Sequence, residues 1–311
     1  MHAGMNALAV WFSLVAAGVS ACAQEEGVAP VGPAAAQPDL AASEAPDPKT
    51  IEVLDRLEAS GQRLTSFASG LAYTKTFAID SDMHVKLGSL YYRAPDESGQ
   101  PPTKRFGIHF REQVLDPAGV ARVDAHNKSY IFDGEWLCEM MNDDRLAIRR
   151  QVVEPGKAFD PLRLGEGPFP IPLGQRKEEI LARFKVSVRE AGESLRADDP
   201  SAYPPMPPEM VGAQARFVEG CVQLLLIPRE GHAQRSDYVE VRFWLAEAGD
   251  GILIPRMVRT VNRSHDVGVV QLHDAKVNEP GAIPESALST FPPQGWTLRE
   301  EPWRGQIGEE P

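Results

Sequence analysis

The sequence predicts an α+β fold, in which one large curled antiparallel sheet, an open half-barrel of about eleven strands, has helices covering its concave face. Two observations carry this prediction. Most apolar runs after residue 64 have a period of two, as in Phe106-Gly-Ile-His-Phe110, which is typical of a half-buried strand. The dipeptides Asp133-Gly134 and Asp250-Gly251 favour tight turns and join neighbouring runs into hairpins.

Two helices are predicted, one before the sheet and one inserted midway. The first begins at Asp47-Pro48, where Asp47 or Thr50 could cap it, and ends near Phe67. Its apolar side chains recur at helical spacing, and they are Ile51, Leu54, Leu57 and Leu64. The second helix, Gln175 to Phe184, follows an irregular loop rich in proline and glycine at 155–174.

Other local patterns refine the strand assignment. Gly88 predicts a bulge that swaps the faces of the second strand. A second proline-rich loop is predicted at 198–210, followed by a strand from Phe217 to Ile227 that Pro228 ends. The last segment, 280–311, is predicted to be mostly loop.

The N-terminus predicts an export signal, because its apolar region, 7–19, is too short to span a bilayer. Two cleavage sites fit this signal. Ala21-Cys22-Ala23 suits ordinary signal peptidase, whereas Val19-Ser-Ala-Cys22 resembles a bacterial lipobox, in which Cys22 carries the lipid anchor. We favour the lipobox because the Ala- and Pro-rich residues that follow it would form a flexible tether. A disordered N-terminus without a role is the alternative.

The predicted domain organisation has four parts: a signal peptide with a lipobox at 1–22, a disordered tether at 23–48, a half-barrel domain at 49–298 and an acidic tail at 299–311.

Composition and motifs exclude several functions. The net charge is −12 and the basic residues are scattered, which argues against a nucleic acid or an anionic membrane surface as the partner. The chain has no Gly-x-Ser-x-Gly, His-Glu-x-x-His or P-loop motif, so we expect no enzyme, no cofactor and no metal. A hydrolase is the third-ranked hypothesis.

Cys138 and Cys221 lie in apolar runs, either as buried thiols or as a disulfide.

The mature chain resembles the LolA-type periplasmic lipoprotein carriers and their LolB relatives. Five segments carry the resemblance in order, and they are 57–67, Gly88-Ser-Leu-Tyr-Tyr-Arg-Ala-Pro95, Phe132-Asp-Gly-Glu-Trp136, Leu226-Ile-Pro228 and Phe291-Pro-Pro-Gln-Gly-Trp296. The resemblance implies a half-barrel that binds a lipid or a lipoprotein acyl chain without chemistry. It assigns a functional basic role to Arg93, although here Ala94 separates that residue from Pro95.

The apolar rows of the sheet supply the candidate lipid-binding residues. An apolar concavity that the helices leave unfilled would gain roughly 0.8 kcal/mol for each CH₂ group that it buries. For each single residue, ordinary core is the alternative. The candidates, with Arg93 added from the resemblance, are Tyr73, Phe77, Leu90, Tyr92, Arg93, Phe106, Phe110, Trp136, Met140, Leu224 and Phe243.

These features predict a protein on the periplasmic side of the bacterial cell envelope that works in lipid or lipoprotein trafficking, anchored to the outer membrane if Cys22 is acylated. Helix 175–184 and the loop before it would act as a lid over the bound chain. The alternative is an RseB-like module with a closed core, which senses envelope stress by binding another envelope protein.

Overall fold

The computed structural model describes residues 46–79, 82–95, 104–116, 122–154, 171, 173–196, 208–233 and 236–303. In chain order its elements are α1 (Pro48–Arg63), β1 (Ser66–Thr76), β2 (Met83–Arg93), β3 (Arg105–Asp116), β4 (Arg122–Phe132), β5 (Trp136–Met141), β6 (Leu146–Gln151), α2 (Lys177–Arg183), β7 (Phe184–Arg189), α3 (Pro208–Phe217), β8 (Val222–Pro228), α4 (Glu230–Ala233), β9 (Tyr238–Ala248), β10 (Ile252–Asn262), β11 (Val267–Val277) and β12 (Thr297–Glu301).

The strands form one open sheet of twelve strands in the order β12-β6-β5-β4-β3-β2-β1-β11-β10-β9-β8-β7. Neighbouring strands are antiparallel except for β12 and β6, which are parallel. The predicted fold class, a large curled antiparallel sheet that stays open, is confirmed. Both predicted hairpin turns are also present, with positive φ values of 115° at Gly134 and 59° at Asp250.

Helix α1 begins and packs much as its sequence predicts. Asp47 caps it, since the backbone N–H of Thr50 donates to Asp47 Oδ1 at 3.0 Å. The helix ends at Arg63, earlier than predicted, because Leu64 is already extended and Phe67 belongs to β1. Its apolar side packs on the sheet, mainly against β10.

The sheet has two covered faces, and we call the face under α1 the inner face. Its core also takes side chains from α2 and from residues 171 and 173. The opposite, outer face carries one cluster near α3 and another near Trp296. The prediction that the helices cover only one face was therefore incomplete. Residues 208–217, predicted as the end of a loop and the start of a strand, form α3, and β8 begins only at Val222, after Gly220 with a φ of 78°.

The bulge predicted at Gly88 is present, but the extra residue lies in the partner strand. The register shifts between Leu87 and Gly88, and Arg111 of β3 has no opposite residue. Gly88 is needed there because a Cβ atom would collide with the backbone carbonyl oxygen of His109.

The C-terminal segment, predicted as mostly loop, adds a strand to the sheet. β12 pairs with β6, and two ion pairs hold it there, Arg149–Glu300 at 2.9 Å and Arg150–Glu301 at 2.8 Å. The sheet therefore continues past residue 298, where the sequence places the end of the domain. The polar strand Thr-Leu-Arg-Glu-Glu has no apolar alternation that could have predicted it.

A buried polar network crosses the outer face between β8, β9 and β10. Glu240 accepts hydrogen bonds from Arg242 Nε at 2.9 Å and from Arg259 Nη2 at 3.0 Å. Arg242 Nη1 also donates to Gln223 Oε1 at 2.7 Å. The Arg259 side chain is 0% exposed, so its charge depends on these partners.

The N-terminal predictions lie outside the described residues. These are the signal peptide, the lipid anchor at Cys22 and almost all of the tether. Among the described helices, none combines the length and the apolar composition that crossing a membrane requires. Cys138 and Cys221 are both buried free thiols, and burial raises the pKa of Cys138 to about 11.

Candidate binding site on the inner face of the sheet

The inner face brings six of the predicted lipid-binding side chains into one apolar core. All six are at most 2% exposed, and they are Leu90, Tyr92, Phe106, Phe110, Leu224 and Phe243. Tyr73 is half-buried and packs against the same core. The rows come from two halves of the sheet, β1–β3 and β8–β9, so the apolar surface extends across the strands.

Trp136 and Met140 lie on the outer face and do not join this core. Met140 belongs to a cluster with Cys138 and Trp296, and Arg149 stacks 4.4 Å from the ring centre of Trp136. The physical reason is the register that the turn imposes, which places Leu137 opposite Phe132 on the inner face. Alternation alone cannot say which of two alternating sets faces inwards.

The two remaining predicted residues lie at opposite ends of the strands. Phe77 follows β1, where its ring meets His84 edge to face at 5.1 Å and lies 4.5 Å from Lys75 Nζ. Arg93 is exposed at the end of β2 and lines a cleft between the ends of α1 and β2. Of the eleven predicted lipid-binding residues, seven therefore lie in the inner core or against it, two lie at the ends of strands and two lie on the outer face.

The cleft beside Arg93, which we call the upper cleft, has a volume of about 950 Å³. This falls within the range of about 300–1,000 Å³ that is usual for ligand pockets. Leu64 and Tyr92 line it and belong to the inner core, whereas Lys104 and Arg176 supply charge at its rim. The upper cleft therefore borders the apolar inner core.

A second cavity, the lower pocket, lies at the other end of the strands and has a volume of about 410 Å³. Tyr73, Lys75 and Tyr238 line it. Burial, together with the nearby Tyr238 and Asp266, raises the pKa of Tyr73 to about 12. The Tyr73 phenol thus stays protonated at neutral pH and can donate a hydrogen bond.

The inner core is covered by residue 171 and residues 173–183, which we call the lid. Three lid side chains, Ile171, Leu173 and Ile180, are fully buried in that core. The sequence predicts a lid here, and its helix, α2, is shorter than predicted because Phe184 is the first residue of β7. Most of the preceding loop, 155–170, lies outside the described residues.

Polar contacts join both ends of the lid to the rest of the domain. At the C-terminal end of the lid, Arg229 Nε donates to the carbonyl oxygen of Leu181 at 2.8 Å, and the backbone N–H of Arg229 donates to the carbonyl oxygen of Arg183 at 2.8 Å. Lys104 Nζ donates to the carbonyl oxygens of Leu173 at 3.4 Å and Gly174 at 3.2 Å. Lys177 forms an ion pair with Asp55 of α1, at the surface. The closest backbone approach joins Gly61 and Gly174, because a Cβ atom on Gly61 would lie 2.5 Å from Gly174 Cα. The lid is therefore held by packing on α1 and by hydrogen bonds from Lys104 and Arg229.

The Asp-Gly turn that the resemblance singled out has a structural role. Asp133 Oδ1 accepts from the backbone N–H of Trp136 at 2.8 Å, and Oδ2 accepts from the hydroxyl of Thr290 at 2.7 Å. Asp133 also pairs with Arg149 at 3.3 Å. One carboxylate thus joins the hairpin, β6 and the C-terminal segment.

One serine and one histidine are close enough to raise the hydrolase hypothesis. His109 Nδ1 lies 2.9 Å from Ser129 Oγ, and its Nε2 lies 2.9 Å from the carbonyl oxygen of Ala287. Nε2 must donate to that carbonyl, so Nδ1 accepts from the serine hydroxyl, and burial lowers the pKa of His109. Ser129 is buried, with 5% of its surface exposed. The described residues contain no cluster of side chains suited to a metal ion.

Comparison with known proteins gives structural likenesses at low sequence identity. No protein-family model matches the chain, and no curated protein matches it. An uncharacterized conserved protein from Thermus thermophilus is 11% identical, with a TM-score of 0.39 over 81% of this chain and 99% of that one. A putative outer membrane lipoprotein-sorting protein domain from Vibrio parahaemolyticus is 9% identical, with a TM-score of 0.33 over 78% and 96%.

A third solved structure, the MucA/MucB complex of Pseudomonas aeruginosa, contains a chain that is 14% identical, with a TM-score of 0.33 over 78% of this chain and 60% of that one. Likenesses at such identities and TM-scores say nothing about what this chain binds. The structure itself has the open and mostly antiparallel sheet that the sequence predicts.

Proposed function

We propose that this protein binds the hydrocarbon chain of a lipid or lipoprotein on the inner face of its sheet, without chemistry, when the lid moves aside. The observation that supports this proposal most directly is the pairing of a continuous apolar face with a short cover. Ile171, Leu173 and Ile180 fill the space over that face, and the upper cleft borders it.

Burying the lid side chains and burying a hydrocarbon chain contribute free energies of similar size. Burying one large apolar side chain contributes about 1.5–3 kcal/mol, so the three lid side chains together contribute roughly 5–9 kcal/mol. A chain of about fifteen methylenes would contribute about 12 kcal/mol over the same face, before its ordering cost is subtracted. A hydrocarbon chain can therefore replace the lid side chains without a large net loss.

The surface ion pair of the lid adds little to this balance. The Lys177–Asp55 pair is partly exposed, with 52% of the Asp55 side chain accessible, and exposed pairs contribute about 0–1 kcal/mol. Full opening would also break the hydrogen bonds from Lys104 and Arg229, and one such bond contributes about 0.5–1.5 kcal/mol. We place this activity in the cell envelope, with Cys22 as the lipid anchor.

Gly61→Ala tests the lid. A methyl group on Gly61 would collide with the backbone of Gly174 and should displace the lid. Alanine would by itself favour the helix by about 0.5–1 kcal/mol, so any loss of stability would come from this contact. We expect delipidated Gly61→Ala protein to take up a fluorescent fatty acid at least fivefold faster than the unmodified protein.

Ala59→Ser is the matched control, because it also adds one heavy atom to α1 but does so at an exposed position. It should leave uptake unchanged. A delipidated protein that takes up no fatty acid of any chain length, with or without Gly61→Ala, would count against the proposal. Circular dichroism on each variant would show that the sheet is intact.

The closed inner core also favours a second candidate, the protein-interaction module. Leu90, Phe106 and Phe243 are fully buried, as they would be in a domain that never opens. This alternative predicts capture of one specific envelope protein by the closed domain. It also predicts that Gly61→Ala leaves fatty-acid uptake undetectable.

A further inference from the structure

Three lysines that are far apart in the sequence meet on the inner face near the lower pocket. We call Lys75, Lys86 and Lys128 the basic row. The strand registers bring them together, since Lys86 lies opposite Tyr73 and Lys128 lies opposite Phe110. Lys86 Nζ lies 5.7 Å from the ring centre of Phe110.

The charge of the basic row is only partly compensated. Lys128 forms an ion pair with Glu139, but Lys75 and Lys86 have no ion-pair partner among the described residues. Burial lowers the pKa of Lys86, and the neighbouring charges of Lys128 and Lys75 lower it further. These like charges face one half-buried site in a chain whose net charge is −12. Half-buried charges are costly unless an opposite charge binds beside them.

A histidine beside the row has an unused polar atom. Within the described part of the chain, His126 Nε2 is buried and has no hydrogen-bond partner. Its ring centre lies 6.2 Å from that of Phe110. Burial lowers the pKa of His126 and the charges of Lys86 and Lys128 lower it further, whereas the charge of Asp143 opposes them. His126 and Lys86 therefore both lie beside the Phe110 ring, in one part of the inner face.

The position of the row relates it to the apolar core. Phe110 belongs to that core, and Tyr73 and Tyr130 pack against it. Lys75 and Tyr73 also line the lower pocket, which offers about 410 Å³ beside the row, and Asp237, Arg263 and Asp266 line the same pocket. The lysine next to the apolar core is Lys86, beside Phe110. A molecule bound along the core and at Lys86 would be apolar along the sheet and negatively charged at the end where β1 finishes and β2 begins.

We propose that the basic row binds the anionic head group, a carboxylate or a phosphate, of the amphiphile whose hydrocarbon chain lies on the inner face. This inference rests on the proposed function and names its ligand class, an anionic amphiphile. Charge-assisted hydrogen bonds from ammonium groups suit both kinds of head group. Tyr73 lies in the adjacent lower pocket as a further hydroxyl group.

Calorimetric titration of the full chain tests the inference with three probes below their micelle-forming concentrations: dodecyl phosphate, the uncharged dodecyl maltoside, and inorganic phosphate. We expect dodecyl phosphate to bind at least tenfold more tightly than dodecyl maltoside. Lys86→Gln should weaken dodecyl phosphate binding about tenfold, which corresponds to about 1.4 kcal/mol, and leave dodecyl maltoside unchanged. Lys185→Gln is the matched control, since Lys185 is exposed on the edge strand β7, and should change neither affinity by more than twofold.

The failures of the two proposals are distinguishable. Equal affinities for both dodecyl compounds, with no effect of Lys86→Gln, would overturn the head-group assignment and leave the proposed function intact. Binding of inorganic phosphate alone, lost in Lys86→Gln, would overturn the proposed function and the assignment to a lipid, and would make the row a site for free anions. Absence of binding for all three probes would overturn both.

Discussion

Replacement of Glu240 by alanine is expected to lower the free energy of unfolding by about 3–5 kcal/mol, because it leaves two buried guanidinium groups without their shared carboxylate. Arg259 is fully buried and Arg242 is nearly so, at 0% and 3% exposure of the side chain. Arg242 keeps its ion pair with Glu193 at 3.3 Å and its hydrogen bond to Gln223, so the loss of charge compensation is largest at Arg259, whose hydrogen bond to the carbonyl oxygen of Ser194 supplies no negative charge. Urea denaturation followed by circular dichroism would measure the loss.

Glu247→Ala is the matched control for this prediction. Glu247 lies on the same strand and pairs with Arg56, but 61% of its side chain is exposed, so we expect a change of at most about 1 kcal/mol. Equal losses for the two variants would contradict the structural account of the network.

The same carboxylate gives the network a pH dependence. Burial alone would raise the pKa of Glu240, but the hydrogen bonds and charges of Arg242 and Arg259 outweigh it and lower the pKa overall. The stability that it contributes is therefore fully present above the ordinary glutamate pKa of about 4.3 and is lost as the pH falls through the lower folded value. Glu240→Ala should remove this part of the acid-induced loss.

Replacement of Leu173 by alanine is expected to have the largest effect on ligand uptake. A buried leucine-to-alanine change costs about 2–5 kcal/mol, and here the lost contacts are those between the lid and the inner core. If the substitution destabilises the state with the lid closed and leaves the open state unchanged, the open state becomes at least about tenfold more populated, since about 1.4 kcal/mol corresponds to a factor of ten. Uptake of a fluorescent fatty acid by delipidated protein should accelerate by the same factor.

Leu195→Ala separates this effect from general destabilisation. Leu195 is equally buried but belongs to the outer-face cluster near α3. It should lower the free energy of unfolding by a similar amount and leave uptake within twofold of the unmodified protein. Similar acceleration by both variants would show that uptake follows global unfolding, not movement of the lid.

The sequence predicts the strands, the hairpins and most of the inner row because each depends on local rules. Alternation over two residues identifies Phe106, Ile108 and Phe110 as one face of a strand, and an Asp-Gly pair identifies a turn. The core row at Leu224 and Phe243 was predicted by the same pattern. These residues are buried together on the inner face.

Features that depend on pairing between distant segments could not be predicted in this way. Whether Met140 or Met141 faces inwards is set by the register of β5 on β4, which places Met141 opposite Lys128. The polar strand β12 is held by ion pairs to β6 and has no apolar alternation. The extent to which the lid fills the inner face depends on Ile171 and Leu173, whose loop lacks any periodic pattern.

The basic row is the clearest example of a feature that local sequence patterns do not predict. Its lysines are scattered in a chain of net charge −12, and such scatter predicts neither a nucleic acid nor an anionic membrane surface as the partner. The registers of β1 on β2, of β2 on β3 and of β3 on β4 together bring the three side chains to one site. A locally positive site can thus exist on a protein that is acidic overall.

Photolabelling with a fatty acid that carries a photoreactive group on its hydrocarbon chain, followed by mass spectrometry of the peptides, would locate the bound chain on the sheet. We expect label on inner-face strands, at β2, β3, β8 or β9, and loss of that label when unmodified fatty acid competes. Label confined to outer-face segments such as α3, or label that unmodified fatty acid does not displace, would contradict the claim that the inner face is the binding site.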